Sequence, residues 1–357
     1  MRIFAINPGT TSTKIALYDD TVELWRENIL YTREQLSVFE TPEDEKDLRY
    51  DDVISALKKR GIKTNDLDAL VGRGGLLHPL SGGAWIVNEA MISDLSSARY
   101  GSHACNLGAI IALKIAKEAG NKPAYIVDPV CVDEMIPVAR ISGIPDSPRR
   151  AIFHALNQRA VAYRVAAKIN KKMKDCKFIV AHMGGGVTVG AHYLGKIIDV
   201  NNALGGYGPM TPERAGTVHA MDLIEKCFSG EYTKAQMRKM IIGDAGLFAH
   251  LGTMDFKYIA EKRASGDEKF NLIVEALAYQ VACEIGNRSI AMKGEIDAII
   301  LTGGLAYSEY LCNLIEERVS WLAKVIVSPG EDELKSLCEG TYRVLSGQEE
   351  AKVYEQE

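Results

Sequence analysis

Residues 6–20, INPGTTSTKIALYDD, predict a hairpin whose tip is crowded with hydrogen-bond donors. An apolar strand at 2–6 runs into the Asn-Pro-Gly of residues 7–9, hydroxyl side chains fill 10–13, and after a lysine a second strand leaves at 15–18. Hydroxyls, a lysine and successive backbone amides match the oxygens of a phosphate group. The alternative interpretation is a tight turn whose polar side chains bind no ligand, and the stretch taken alone favours this alternative.

The remainder of the first half extends this hairpin into an α/β pattern. Alternating or β-branched runs indicate strands, and apolar positions with a period of 3.6 indicate helices. The pattern predicts strands at 2–6, 13–18, 22–30, 68–75 and 124–128, and helices at 42–59 and 102–118. In chain order this is three antiparallel strands followed by helix, strand, helix and strand.

The second half repeats that plan. The pattern predicts helices at 149–173, 219–228, 233–242, 255–293, 307–322 and from 331, and strands at 177–183, within 184–200 (two), at 295–304 and at 323–328. A chain of 357 residues exceeds the ~250–300 at which single cores stop growing, so two domains are expected. Each should be an α/β domain with helices on both faces, and a ligand should lie at the strand ends between the two halves.

Composition excludes several classes of function. A net charge of −5 and a pI near 5.9 argue against binding to nucleic acid. Seven cysteines without a C-x-x-C pair favour reduced thiols in a cytosolic setting, and the absence of H-E-x-x-H argues against zinc. The longest apolar stretch, at 107–113, is far shorter than the ~18 residues that span a bilayer. We therefore expect a cytoplasmic protein with no membrane partner.

Several glycine-rich stretches lie near strand ends, and only some of them are candidate phosphate sites. GAHYLGKI (190–197) nearly matches a P-loop, but Ile197 replaces the hydroxyl that should reach magnesium, and a hairpin turn is expected there. GGGVTVG (184–190) is followed by a strand and not by the helix that a dinucleotide fingerprint requires. Four loops remain as candidate phosphate sites, at 7–14, 72–75, 182–186 and 303–304; each taken singly is more simply a tight turn.

Eight motifs, taken together and in order, resemble those of the acetokinase family. They are NPGTTSTK (7–14), VGRGG (71–75), VDPV (127–130), RRAIFHALNQRAVA (149–162), HMGGG (182–186), PERAG (212–216), LTGG (301–304) and PGEDEL (329–334). This family of acetate and butyrate kinases belongs to the sugar kinase, Hsp70 and actin superfamily, and the wording of NPGTTSTK and HMGGGVTVGAH is nearer the butyrate kinase branch. The resemblance covers essentially the whole chain.

The resemblance implies two duplicated actin-like (ribonuclease H-like) βββαβαβα domains with an active-site cleft between them. Residues 1–148 plus 329–357 would form the N-terminal domain on the carboxylate and phosphate side, and 149–328 the C-terminal domain on the nucleotide side. The implied reaction is reversible in-line phosphoryl transfer from ATP to butyrate or a branched short-chain acid, giving ADP and an acyl phosphate, with Mg²⁺. The alternatives are an acetate or propionate kinase, or a non-catalytic nucleotide-switched protein on the same fold. A homo-oligomer, dimer or higher, is expected.

Five residues are candidate catalytic groups. Arg73 lies between glycines at a strand end, where its fork could hold a carboxylate; a surface salt bridge is the alternative. The resemblance implies that Arg214 stabilises the transferring phosphoryl group. His182 ends a buried strand, where it could donate to an equatorial phosphate oxygen or be structural. His154 matches a family position but packing is equally expected, and Asp128 could be a magnesium ligand or a turn-forming residue.

The resemblance also implies a binding set. Asn7, Asp128 and Glu333 would surround the metal, although Glu331 is an alternative to Glu333 and the acidic trio could instead serve the helix N-terminus. Gly303 and Gly304 would flank the adenosine. The nucleotide and phosphate contacts are assigned to Asn7, Gly9, Thr10, Ser12, Lys14, Gly184, Gly185, Gly186, Gly303 and Gly304. His103 matches a family position loosely and is otherwise a cap for the helix that follows.

Overall fold

The computed structural model describes every residue from 1 to 357, and the chain divides into two compact units. The first unit joins Met1–Asp133 to Asp332–Glu357, and the second spans Glu134–Glu331. The first unit is therefore built from both ends of the sequence. None of the helices combines the length and the apolar character that crossing a membrane would demand.

The unit boundary at Asp133 lies before the position 148 expected from the sequence, and the one at 331/332 lies just after the expected 328/329. The intervening residues belong to the second unit because their hydrogen bonds go there. Glu134 accepts from the backbone N–H of Ile197 at 2.8 Å, and Ile136 donates its N–H to the carbonyl of Ile198 at 3.0 Å.

Twelve strands and thirteen helices make up the two units. The strands are β1 (Arg2–Pro8), β2 (Ser12–Asp19), β3 (Val22–Leu30), β4 (Ala69–Arg73), β5 (Ala84–Ile86), β6 (Ala124–Val127), β7 (Lys177–Met183), β8 (Val187–Tyr193), β9 (Lys196–Val200), β10 (Ala298–Gly303), β11 (Val325–Pro329) and β12 (Lys352–Val353). The helices are α1 (Arg33–Leu36), α2 (Lys46–Lys59), α3 (Glu89–Ser96), α4 (Asn106–Glu118), α5 (Pro137–Arg140), α6 (Ala155–Lys168), α7 (Ala220–Phe228), α8 (Lys234–Ile241), α9 (Gly246–Leu251), α10 (Phe256–Ala264), α11 (Glu268–Ala291), α12 (Glu309–Val319) and α13 (Glu333–Leu345).

The two sheets share one arrangement. In the first unit the order is β12-β5-β6-β4-β1-β2-β3, and in the second it is β11-β10-β7-β8-β9. Each unit has a three-stranded antiparallel meander whose first strand pairs in parallel with the next strand of the sheet, β1 with β4 and β7 with β10. The predicted duplication of an α/β domain is confirmed, and β5 and β12 are additions to the first copy.

Burial follows position in the sheet. The central strands β1 and β7 are buried at six of seven positions, as expected where helices cover both faces. The edge strand β3 alternates between half-buried and exposed side chains, so only one of its faces reaches the core. This difference explains why the central strands have continuous apolar runs and the edge strand does not.

Several predicted elements differ in their extent. The helix expected at 149–173 is α6, which begins only at Ala155, because Arg149 pairs with Asp199 at 2.7 Å and holds the preceding segment outside the helix. The stretch at 255–293 forms two helices, α10 and α11, and α4 begins at Asn106 instead of 102. Six elements were not predicted because none of them is longer than eight residues, too short for a clear periodic pattern: α1, α3, α5, α9, β5 and β12.

Candidate active site

Strand ends in the first unit bring Asn7 and Arg73 together. The strands β1 and β4 are parallel neighbours with Ile6 opposite Gly72, so the next residue of each lies at the same edge of the sheet. Glu333, the first residue of α13, joins the two. Its Oε1 is 2.9 Å from Nη1 of Arg73, and its Oε2 accepts from Nδ2 of Asn7 at 2.5 Å.

A cavity of about 210 Å³ opens at this edge of the first unit. Its wall includes most of the first-unit residues that were expected from the sequence to bind substrate or metal. The lining residues are Asn7, Pro8, Gly9, Ser12, Lys14, Arg73, His103, Cys105, Val130 and Glu333. Lys14 and Arg73 place two positive charges on the wall, and Pro8, Cys105 and Val130 supply an apolar side. A small molecule with an anionic head and a short aliphatic tail matches this distribution.

The apolar side of the cavity is chemically inert. Cys105 is buried, and burial raises the pKa of its thiol to about 11, so it stays protonated at neutral pH and behaves as a small apolar group. His103 turns back on its own loop, where its Nδ1 accepts the N–H of Cys105 at 3.1 Å. This bond lies before the first turn of α4, whose N-cap is Cys105 and has no side-chain cap, so His103 does not cap that helix, and its side chain also lines the cavity.

The loop at 9–13 has one face toward the cavity and one toward the core. The N–H of Gly9 donates to the carbonyl of Ser12 at 2.7 Å, which closes the turn, and both residues line the cavity. Thr10 is exposed and is not part of the lining. Thr13 points inward, where its hydroxyl oxygen accepts from the Tyr31 hydroxyl at 3.3 Å. The Thr13 hydroxyl therefore lies on the core side of the loop.

A buried arginine behind this loop was missed by the sequence reasoning. Arg49 on α2 is fully buried and donates to the carbonyls of Ser12 at 2.9 Å and Thr10 at 3.2 Å, and to the hydroxyl of Thr13 at 3.0 Å. Glu45 pairs with it at 2.6 Å. The signal was a charge on the apolar face of α2, four residues before a buried valine. Arg49 fixes the path of the loop from the core side.

The structure places Asp128 in a buried turn. Its Oδ1 accepts the N–H of Gly83 at 2.6 Å, its own N–H donates to the carbonyl of Gly83 at 3.0 Å, and its φ of 42° is left-handed. Asp128 is not among the residues that line the cavity. The turn-forming role expected as the alternative is therefore present, and because β6 pairs Val127 with Arg73, Asp128 follows at the same edge of the sheet as Arg73.

Two histidines stack in the second unit, at the end of β7. The rings of His154 and His182 lie 3.9 Å apart between centroids and are inclined by 16°. Nδ1 of His182 is 2.8 Å from Oδ1 of Asn157, and Nδ1 of His154 is 2.9 Å from the hydroxyl oxygen of Thr188. Glu331 is 3.4 Å from Nε2 of His182 but is half exposed, so solvent weakens that contact. Both rings are thus held through their Nδ1 atoms.

Burial keeps His182 uncharged. It lowers the pKa of His182 well below 6.5, and the nearby His154 lowers that pKa further. A neutral ring that donates from Nδ1 to Asn157 carries no hydrogen on Nε2. In this tautomer Nε2 presents a lone pair, and the donation to a phosphate oxygen expected of His182 would require the hydrogen on Nε2 instead.

The side chain of Arg214 lies against Gly186, in the run of glycines that follows β7. Its Nη1 donates to the carbonyl of Ala203 at 3.1 Å, while Nε is buried without a hydrogen-bond partner. A Cβ at Gly186 would be 2.4 Å from that Nη1 and 3.2 Å from Cε1 of His154. Glycine at 186 therefore lets the guanidinium and the imidazole approach the backbone, whereas Gly184 and Gly185 meet no such obstruction below 3 Å.

The two glycines after β10 have different environments. Gly303 has a φ of 88°, and a Cβ there would be 2.4 Å from the carbonyl oxygen of Met183. A Cβ at Gly304 would meet nothing within 4 Å, and its φ is ordinary. The fold therefore requires glycine at 303, while nothing within the protein requires it at 304.

Comparison with known proteins identifies the family. Residues 146–324 match the model of the acetokinase family. The chain is 50% identical to Butyrate kinase 1 of Clostridium acetobutylicum over 353 residues, which are 99% of each chain. The chain belongs to the acetokinase family.

Solved structures show the same fold at low sequence identity. Acetate kinase of Porphyromonas gingivalis superposes with a TM-score of 0.78 at 18% identity, covering 96% of this chain and 99% of that one. A propionate kinase of Francisella tularensis superposes with a TM-score of 0.72 at 16% identity, covering 95% and 98%. The acetokinase fold expected from the sequence motifs is therefore observed, with two duplicated domains.

Proposed function

We propose that this protein is a butyrate kinase that transfers a phosphoryl group reversibly from ATP to the carboxylate of butyrate or a branched short-chain acid. The observation that carries the proposal is the first-unit cavity, where Arg73 and Lys14 lie beside Cys105 and Val130. Support comes from the 50% identity to a protein named Butyrate kinase 1 over nearly the whole chain. An acetate or propionate kinase would differ in how much aliphatic tail the cavity accepts.

The chemistry of the substrate explains why the reaction needs positive charge and no general base. Short carboxylic acids have pKa values near 4 to 5, about those of Asp and Glu side chains, so the nucleophile is ionised at neutral pH. The barrier lies in bringing this anion to a polyphosphate, so positioning and positive charge must supply the catalysis. Arg73 would orient the carboxylate, and Glu333 fixes the guanidinium.

Magnesium fits the donors at the strand ends. Mg²⁺ is held in kinases by one or two carboxylates together with waters and substrate phosphates. Glu333 supplies a carboxylate and Asn7 an amide oxygen, and the two side chains touch. Bound there, the ion would neutralise charge on the phosphates. Asp128 uses Oδ1 for its contact with Gly83, so it would join this shell through its other carboxylate oxygen.

The second unit would bind the nucleotide. Gly184, Gly185 and Gly186 expose backbone amides after β7, and Gly304 leaves open space after β10 where an adenosine could approach. Arg214 would stabilise charge on the transferring group, which fits its partly unpaired guanidinium.

We further propose a cytoplasmic homo-oligomer. The helix α11 exposes Leu272, Tyr279 and Ile290, which lie close to one face at spacings of 7 and 11 residues. Burial of such a face against a second copy would remove apolar area from water. Sedimentation of the purified chain tests this point independently of activity.

A hydroxamate assay tests the activity. The protein receives ATP, magnesium, hydroxylamine and straight or branched acids of two to six carbons, and acyl hydroxamate is measured. We expect ATP-dependent product, greatest with the four-carbon acids. No product with any acid would refute the kinase assignment, and a maximum at two or three carbons would select the acetate or propionate alternative.

Arginine variants test the charge mechanism. Arg73→Ala and Arg214→Ala should each lower turnover by about 10²–10³, the effect of removing one preorganised stabilising group. Arg33→Ala, which removes an exposed arginine on α1, is the matched control and should retain activity. Near-normal turnover in both test variants, with folding intact by circular dichroism, would contradict the role of positive charge.

A further inference from the structure

A buried hydrogen-bond chain runs behind the stacked histidines. Nδ1 of His154 is 2.9 Å from the hydroxyl of Thr188, and Nε2 of Gln158 donates to that hydroxyl at 2.9 Å and to the Thr188 carbonyl at 3.1 Å. Oε1 of Gln158 is 3.0 Å from Nε2 of His192. Gln158, Thr188 and His192 are all fully buried. A Cβ at Gly190 would be 2.4 Å from Oε1 of Gln158, so glycine there makes room for the chain.

The chemistry of each atom sets the direction of every bond in this chain. A carbonyl only accepts, so the amide nitrogen of Gln158 must face the Thr188 carbonyl, and the same nitrogen donates to the Thr188 hydroxyl. That hydroxyl has one hydrogen, which remains to be donated to Nδ1 of His154. A neutral His154 that accepts at Nδ1 carries its hydrogen on Nε2.

His182 is held in the opposite tautomer. Asn157 donates from Nδ2 to the carbonyl of Gly330 at 3.4 Å, so its Oδ1 faces His182 and accepts from Nδ1 at 2.8 Å. Nε2 of His182 then carries no hydrogen, and the half-exposed carboxylate of Glu331, 3.4 Å from Nε2, receives none from it. The two stacked rings, which look alike in the sequence, therefore differ in where they carry their hydrogen.

We propose that Thr188, oriented by Gln158, is a positioning residue that keeps His154 in its Nε2–H form beside the glycine run. This inference rests on the proposed kinase function. The Cε1 edge of His154 lies 3.2 Å from the position of a Cβ on Gly186, so the ring reaches the glycine run proposed to bind phosphate. A donor that needs no protonation step is ready when negative charge develops on the transferring group.

Nitrogen NMR of the ligand-free protein tests the tautomers directly. Long-range ¹H–¹⁵N spectra of a ¹⁵N-histidine sample distinguish protonated from bare ring nitrogens, and His154→Asn and His182→Asn samples assign the signals. We expect a bare Nδ1 and protonated Nε2 for His154 and the reverse for His182. The same pattern in both rings, or a bare Nε2 in His154, would overturn the proposal.

Variants of Thr188 test the consequence for turnover. Thr188→Val removes the hydroxyl while keeping the shape, and we expect a mixed tautomer signal for His154 and about a tenfold loss in kcat, the effect of one neutral hydrogen bond. KM for butyrate should not change, because the cavity belongs to residues of the first unit. Thr188→Ser should restore both the tautomer and kcat.

The two readouts separate the inference from the function on which it rests. If the wild-type protein makes no acyl phosphate but its rings show the expected tautomers, the kinase assignment falls and the positioning role of Thr188 stands. If Thr188→Val retains full kcat and an unchanged His154 signal, Thr188 does not position His154.

Discussion

Replacement of His192 by glutamine should make the protein less sensitive to acid. His192 is fully buried, donates from Nε2 to Gln158 at 3.0 Å, and has no hydrogen-bond partner at Nδ1. Burial, with a smaller contribution from Arg159, lowers the pKa of His192 from 6.5 to about 3. The folded protein therefore keeps this ring neutral over a range of pH in which the unfolded chain protonates it.

The sign and size of the effect follow from that difference in pKa. Because the unfolded chain binds more protons, the stability present above pH 6.5 is lost as the pH falls toward 3. For His192 the loss between pH 7 and pH 5 is about 2 kcal/mol, and it grows by about 1.4 kcal/mol for each further pH unit. Burial holds the pKa of His182 low as well, so that contribution remains in the variant.

Urea unfolding followed by circular dichroism at pH 7, 6 and 5 measures these losses. His192→Gln keeps a donor toward Gln158 and removes the titrating ring, so its free energy of unfolding should fall by about 2 kcal/mol less than that of the wild type over this range. His250→Gln, which removes an exposed histidine of α9, is the matched control and should follow the wild type. Parallel losses in the wild type and His192→Gln would refute the reasoning.

Three further predictions concern the loop at 9–13, the cavity of the first unit and the glycines 303 and 304. Arg49→Lys cannot hold both loop carbonyls, so the free energy of unfolding measured in urea should fall by about 2 kcal/mol, and KM for ATP should rise. Val130→Phe fills the apolar side of the cavity and should lower kcat/KM for butyrate relative to acetate by about 10–200-fold, while Val138→Phe, at an exposed position, should not. Gly303→Ala should lower the free energy of unfolding by about 1–3 kcal/mol, whereas Gly304→Ala should fold normally and raise KM for ATP.

Each of these predictions has a clear contrary result. Normal stability and ATP affinity in Arg49→Lys would show that the loop does not depend on the fork of the guanidinium. An unchanged ratio of butyrate to acetate activity in Val130→Phe would remove Val130 from the acyl pocket. Equal stabilities of the two alanine variants would contradict the crowding at Gly303, and normal KM in a folded Gly304→Ala would place the adenosine elsewhere.

The central elements of the fold could be predicted from the sequence because their burial is regular. Strands β1, β4, β7 and β10 are apolar runs that end in glycine or polar loops, and this pattern is visible in the residues alone. The start of α6 could not be predicted, because the ion pair that keeps residues 149–154 out of the helix joins Arg149 to a residue 50 positions later. Strand β12 has two residues and pairs with β5 far back in the chain, which no local pattern indicates.

The candidate site was predictable in its residue types and less so in their orientation. Arg73 was expected to hold the substrate carboxylate and Glu333 to hold the metal, and the structure pairs the two side chains. The direction of Thr13 and the burial of Asp128 depend on partners elsewhere in the fold, Tyr31 and Gly83, that the motifs do not include. The tautomer of His154 depends on a chain of buried donors and acceptors, and a sequence pattern has no information on where a proton resides.

The discontinuous first unit has a consequence for how the protein is made. Asn7 is synthesised before its partner Glu333, which is 326 positions later, with the whole second unit synthesised in between. Contacts of such long range close late, because the loop must be closed before the contact can stabilise anything. A chain that ended before α13 would carry the loop at 9–13 but not Glu333, so the contacts of Glu333 with Asn7 and Arg73 could not form. The helix α13 thus couples the assembly of the cavity wall to synthesis of the residues that follow the second unit.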